Sequence, residues 1–387
     1  MLRGYDIAYV AAVLLLAFAV LLHPALPKDQ APELDAKIQR QLLDAANLEL
    51  KAFGSKSPIP GAVLGVWIPG KAPWRQGVGF SNISPEERMQ LDDKFRIGSN
   101  TKTFVVTVLP QLVDEGKLNL DDPLNKFDVG VKVPNADKIT VRELCQMRSG
   151  LFEAYNAPEL DKLNIAPHTK ITPRELIEFA IKQPPLFAPG TKWYYCNTNY
   201  LLLGLIIEAV AHHPVEEEIH NRLLVPLGLH NTSFPTADPN MPVPFAHGYT
   251  LSKNEEWEDQ TVLLPPMLSW AAGVMVSDMA DTKIWVKDYV IGTTNSPATQ
   301  KQRLDCLPIG KPGLAFGLGI GCSAGWYGYT GGIPGYNTGA YYLPSKDITI
   351  LAFVNSQREK PDPGVANAIV RDFTKILTPD HVAFPNK

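Results

Sequence analysis

Ser99-Asn100-Thr101-Lys102 sets a hydroxyl and an amine three residues apart where an apolar run begins. Before it, Lys94-Phe95-Arg96-Ile97-Gly98 reads as the end of an extended segment. After it, Phe104, Val105, Val108, Leu109 and Leu112 recur at helical intervals, which predicts an amphipathic helix over residues 103–113. Positions i and i+3 share a helix face, so the Lys102 amine is expected beside the Ser99 oxygen. A helix N-terminus also aims backbone N–H groups outward, where they suit developing negative charge. The pair reads as a nucleophile whose base need not be a histidine. Taken alone, the same residues also fit a serine cap followed by a lysine in solvent.

Working outward, residues 62–67 and 75–80 alternate like two short strands about Pro69-Gly70, a hairpin signal, after a helical pattern over residues 31–52. A long stretch of helices and irregular loops follows, with helical patterns at 140–147, 172–181, 200–211 and 276–289. Strand-like runs then cover 315–320, 335–343 and 348–354, and residues 365–377 close the chain as a helix. Strands at both ends with helices between them predict an α/β (α+β) fold. One antiparallel sheet is built from residues 31–98 and 275–387, with a mostly helical region, 99–274, inserted beside it. A cleft is expected at the seam, where pockets favour domain interfaces.

The chain has 387 residues, enough for a substantial core, and a formal net charge of −4 with both signs mixed along it. No basic stripe is present, which argues against a nucleic-acid partner. Arg3 precedes an apolar run over residues 7–22, broken by His23, Pro24 and Pro27. Residues 1–27 therefore read as a signal peptide or an uncleaved anchor. They predict an exported protein, secreted or held by membrane association through this segment, although the run is short of the ~20 residues of a typical span. Of the four cysteines, Cys145 and Cys196 read as buried. Cys306 and Cys322 flank a loop rich in Gly and Pro and are a candidate disulfide in an oxidising compartment. No cysteine or histidine spacing has the form of a metal site, and no cofactor is implied.

Two further motifs carry chemistry. In residues 187–200, a Pro-Gly turn leads into a polar, aromatic loop that delivers Tyr195 and Asn197 just before an apolar helix. Alternation points both side chains the same way, and a phenol near an ammonium is suited to proton transfer. Packing by the aromatics and helix capping by Asn197 is the plainer alternative. Residues 328–335, Gly-Tyr-Thr-Gly-Gly-Ile-Pro-Gly, read as a glycine-rich turn leading into a strand, where a backbone N–H can meet an oxyanion.

The order Ser99, Tyr195, Tyr329 resembles the serine β-lactamase and penicillin-binding-protein superfamily. Within it, the chain is most similar to the branch of D-alanyl-D-alanine carboxypeptidases, class C β-lactamases and family VIII esterases. Residues 95–104, 118–123, 139–144, 148–151, 226–229 and 271–277 add to the likeness, which runs from about residue 59 to 355. The resemblance implies that Ser99 is acylated, that Lys102 activates it and that Tyr195 shuttles the proton. It further implies that Asn197 positions substrate, that Tyr329, Thr330 and Gly331 form the strand motif beside it, and that the backbone N–H groups of Ser99 and Gly332 form the oxyanion hole. The expected function is an exported serine hydrolase that works by an acyl-enzyme on an ester, amide or lactam bond of a small molecule or short peptide. D-alanyl-D-alanine carboxypeptidase, β-lactamase, acyltransferase and a non-catalytic binding protein are the alternatives. Two positions depart from the pattern: Tyr329 stands where relatives usually carry Lys or His, and Cys196 where they carry Ser or Ala. With no cation at 329, a substrate carboxylate is poorly compensated, so neutral esters or amides are expected unless Arg148 or Lys192 reaches in.

Overall fold

The computed structural model describes residues 31–54, 58–262, 264–357 and 364–384. Its frame is a nine-stranded antiparallel sheet in the order β3-β2-β1-β13-β12-β11-β10-β9-β8. The early strands are β1 (Gly61–Trp67), β2 (Trp74–Ile83) and β3 (Glu86–Arg88). A two-residue strand β4 (Phe95–Arg96) pairs apart from the sheet with β7 (Val276–Ser277), and β5 (Tyr249–Leu251) pairs with β6 (Trp257–Asp259). The late strands are β8 (Leu307–Pro308), β9 (Leu314–Phe316), β10 (Gly321–Ser323), β11 (Trp326–Ile333), β12 (Tyr336–Leu343) and β13 (Ile348–Val354). The first and last segments meet where β1 pairs with β13, Ala62 opposite Val354. The sheet is thus assembled from both ends of the chain.

Strand periodicity divides the core in two. Ile348, Ile350, Ala352 and Val354 of β13 face one side, with Ala62, Leu64 and Val66 of β1. They pack there against helices α1 (Ala36–Phe53) and α8 (Val365–Leu377). Leu351 and Phe353 face the other side and join the core of the helical region. With both faces covered, β13 is apolar throughout except at Thr349, although its neighbours are antiparallel.

The helical region centres on α2 (Thr101–Asp114), α3 (Val141–Cys145), α4 (Pro173–Ile181), α5 (Thr198–Ala211) and α6 (Pro266–Gly273). Thr140 and Thr172 start α3 and α4 with capping boxes to Glu143 and Glu175. Helix α2 is buried on nearly every side, not amphipathic as its spacing suggested, because α5, α6 and the short helices at 215–219 and 297–303 pack around it. The pattern at 276–289 also resolves differently. Asp278 accepts from the Asp281 N–H at 2.8 Å and caps α7 (Met279–Ile291), leaving Val276 and Ser277 as strand. Residues 328–333, expected as a turn, lie inside β11. The run at 315–320 splits into the end of β9 and a turn before β10.

The membrane association expected from residues 1–27 is corrected. Among the described residues no helix is long and apolar enough to cross a membrane, and the segment behind that expectation lies outside them.

Candidate active site

Ser99 lies in a single 3-10 turn, Gly98–Asn100, that runs directly into α2. Gly98 adopts φ +51°, and a Cβ there would come 2.9 Å from the Gly332 nitrogen. The missing side chain is what lets the serine turn lie against β11. Three bonds fix the turn. Asn100 Nδ2 donates to Thr338 Oγ1 at 2.8 Å, Thr338 Oγ1 donates to the Ile97 carbonyl at 3.1 Å, and the Ile97 N–H donates to the Met275 carbonyl at 2.9 Å.

Lys102, one turn on, has no exposed surface. Its Nζ donates to Ser99 Oγ at 2.9 Å and to the Ala272 carbonyl, and it sits 5.3 and 5.5 Å from the ring centres of Tyr195 and Tyr200. The Ala272 carbonyl is brought there by a break in α6 at Trp270, whose backbone is at φ 31°, ψ −126°. Gly204 of α5 leaves room for the Trp270 ring, since a Cβ there would lie 2.6 Å from it. Burial pulls the Lys102 pKa down to about 7, against the opposing pull of Glu153 and Cys196. At neutral pH the amine is therefore able to accept a proton.

Tyr195 reaches the serine from the opposite side, its hydroxyl donating to Ser99 Oγ at 2.8 Å. The loop that carries it is anchored by Glu153, which sequence reasoning missed. This buried carboxylate accepts the backbone N–H of Tyr155 at 3.1 Å and that of Asn197. Only a Phe-Glu-Ala context marks Glu153 in the sequence, and the partner that ties it to the Tyr195 loop, Asn197, lies 44 residues away. Asn197 lines the cavity beside Ser99. Cys196 turns inward, its Sγ 3.5 Å from the Leu151 carbonyl, and burial pushes its thiol up to about 12.

The four positions of β11 separate. Tyr329 is buried beside Tyr195, edge-on to Phe316 at 5.8 Å, and burial holds its phenol well above the ordinary range. It is neutral and supplies no cation. Thr330 lines the cavity, but its hydroxyl donates to the Thr338 carbonyl at 3.0 Å within the sheet. Gly331, expected to bind substrate, does not line the cavity. A Cβ there would come 1.9 Å from the Ile97 carbonyl, so its bareness serves the close approach of strand and serine turn. Gly332 does line the cavity, and its nitrogen lies against Gly98. Strand β10 pairs only with residues 326–328, which leaves β11 from Tyr329 onward without a strand on that side among the described residues.

The cavity holds about 770 Å³ and is walled mainly by apolar side chains, among them Leu160, Trp193, Leu264, Leu268, Ile309 and Phe316. Arg148 is bonded to the Gly190 carbonyl and Lys192 is exposed; neither lines it. The cation that does is Lys311, on the turn between β8 and β9, which the sequence reading did not single out. Cys306 and Cys322 form a disulfide with Cα atoms 6.6 Å apart, and Cys322 lines the same cavity.

A serine held between a buried lysine and a tyrosine, at the seam of this sheet and an inserted helical region, defines the β-lactamase and penicillin-binding-protein-like superfamily. The chain belongs to the beta-lactamase family, whose profile matches residues 43–375. A D-stereospecific amidohydrolase from Streptomyces sp. has a similar solved structure, with TM-score 0.72 and 31% identity over 81% of this chain and 94% of that one. The D-amino acid amidase of Ochrobactrum anthropi SV3, solved with D-phenylalanine, shares the fold at TM-score 0.75 and 24% identity, over 87% and 98%. Protein flp of Staphylococcus aureus strain N315 is 29% identical over 239 residues, 60% of this chain and 46% of that protein. The chain thus spans about half the length of that curated relative.

Proposed function

We propose that this protein is a serine hydrolase that cleaves amide or ester bonds through an acyl-enzyme on Ser99. The observation that carries the reading is the pair of contacts at one oxygen: Lys102 Nζ at 2.9 Å and the Tyr195 hydroxyl at 2.8 Å from Ser99 Oγ. Neutral Lys102 takes the Ser99 proton as Oγ attacks the carbonyl carbon. The backbone N–H groups of Ser99 and Gly332 stabilise the oxyanion that forms. Tyr195 gives its hydroxyl proton to the departing amine or alcohol and regains one from the Lys102 ammonium, and water then attacks the acyl-enzyme by the reverse route. Asn197 orients the substrate from the cavity wall.

Two features support neutral amides and esters over a substrate with a free carboxylate. Tyr329 is neutral, and the Thr330 hydroxyl is already bonded within the sheet. The likeness to a D-stereospecific amidohydrolase and a D-amino acid amidase supports D-configured amides as the first substrates to try. The test is a kcat/KM panel: D-phenylalanine amide, its L enantiomer, short p-nitrophenyl esters, nitrocefin and a peptide ending in D-Ala-D-Ala. We expect the D-amide and the esters to lead and β-lactam turnover to be slow. A D-Ala-D-Ala peptide better than all of them by about tenfold, some 1.4 kcal/mol in transition-state binding, would replace this reading with a carboxypeptidase.

A further inference from the structure

One wall of the cavity comes from a single hairpin. Residues 306–322 supply Ile309, Lys311, Leu314, Ala315 and Phe316, and Cys322 itself lines the space. Little sheet pairing holds them: β8 meets β9 through Leu307 and Pro308, and β10 meets β9 and β11 through Gly321, Cys322 and Ser323. Strand β8 is also the last on that side of the sheet. The base of the hairpin is pinned at 3.1 Å by the Leu318 N–H to the Arg303 carbonyl and by the Gly319 N–H to the Cys145 carbonyl. In the tip, the Ile309 and Leu314 N–H groups bond within the hairpin itself, to the Leu314 and Lys311 carbonyls. The Cys306–Cys322 bond joins the residue before β8 to β10, across a separation of 16 residues, and so ties the outermost strand to the sheet at the base of the hairpin, beside Gly317.

Phe316 meets Trp193 edge-on at 5.9 Å and Tyr329 at 5.8 Å, so it spans from the hairpin to the wall next to Tyr195. Leu160, Leu264 and Leu268 line the far side. Taking the hydrolase reading for the reaction, we propose that this disulfide-closed hairpin is the specificity-determining wall of the site, selecting substrates that carry a bulky apolar group. An apolar group leaving water gains with each buried carbon, whereas an acetyl group leaves most of the wall untouched. Opening the bond takes two electrons and two protons from a dithiol reductant. It yields the Cys306 and Cys322 thiols and the reductant's cyclic disulfide. The wall then keeps its backbone bonds and loses the covalent tie that holds β8 to β10.

The test uses the full chain and two readouts. The first is the kcat/KM ratio of p-nitrophenyl octanoate to p-nitrophenyl acetate, for the parent protein, Phe316→Ala and Cys306→Ser. We expect a ratio above about ten in the parent and a fall of about fivefold or more in each variant. The second is calorimetric binding of octanamide to Ser99→Ala protein, before and after dithiothreitol, with folding checked by circular dichroism. Reduction should weaken binding about fivefold, and this readout needs neither chemistry nor a hairpin substitution. Ester hydrolysis with an unmoved ratio and unmoved octanamide affinity overturns the wall and leaves the hydrolase standing. Octanamide binding that weakens on reduction, in a protein that hydrolyses neither esters nor amides, keeps the wall and overturns the hydrolase.

Discussion

A lysine amine removed from water loses the solvation that keeps it charged, and Lys102 has no exposed surface at all. With its pKa brought down to about 7, the folded protein holds a neutral base above neutrality and a buried ammonium below it. Two consequences share one sign. The acylation rate should rise as pH passes upward through about 7, because only the neutral amine accepts the Ser99 proton. The unfolded chain binds the Lys102 proton up to its ordinary pKa of 10.5, so this group adds stability as pH rises from about 7 toward 10.5. A pH–rate profile of single-turnover acylation reads the first; a rate flat from pH 5 to 9 would remove Lys102 as the base. Tyr195→Phe keeps the ring and removes the oxygen beside Ser99. A fall in kcat of roughly 10²–10⁴ with little change in Tm is expected. An unchanged kcat would move the proton to another group. The Ser99–Lys102 pair was legible because i and i+3 meet on any helix. Glu153 was not, because nothing local in the sequence records which distant N–H groups a carboxylate will accept.

At the scale of elements, the site depends on how closely β11 approaches the Gly98–Asn100 turn. Gly331→Ala would place a Cβ 1.9 Å from the Ile97 carbonyl, a backbone atom that has no rotamer to escape into. Overpacking of this kind costs about 1–3 kcal/mol. Here it would also push Ile97 and Gly98, and with them the Ser99 N–H, away from Gly332. We expect kcat to fall further than stability, read by comparing kcat with the urea midpoint. A variant that loses stability at normal kcat would show that the approach serves packing alone. The sequence offered this strand as a turn, because four glycines in residues 328–335 mimic one. In the fold, Gly328 and Gly331 are bare because the neighbouring backbones at Ala340 and Ile97 come within 2.0 and 1.9 Å of where a Cβ would sit. The helices at 173–181 and 365–377 were easier to read. Pro173 opens one, and the other sets apolar Ala366, Ile369, Val370 and Phe373 at helical spacing.

Across the whole molecule, the groups proposed to act in catalysis come from three places far apart in sequence. Ser99 and Lys102 stand at the head of α2, Tyr195 and Asn197 on the loop before α5, and Gly332 on β11. The pairing of β1 with β13 sets the sheet that carries the last of these, and the kinked α6 supplies the carbonyl that receives Lys102. The sheet built from both chain ends was readable because the apolar runs at 61–67 and 348–354 are too short and too β-branched for anything else. The cavity was not, since its wall joins Leu160, Leu268 and Phe316, which no local pattern relates. An acyl-enzyme forms on Ser99 in this reading, and intact-protein mass spectrometry detects it directly. After incubation with a small fluorophosphonate, the protein should gain one adduct, mapped by digestion to the peptide holding Ser99, and Ser99→Ala should gain none and hydrolyse no ester. An adduct on any other residue, or normal hydrolysis by Ser99→Ala, would contradict the account.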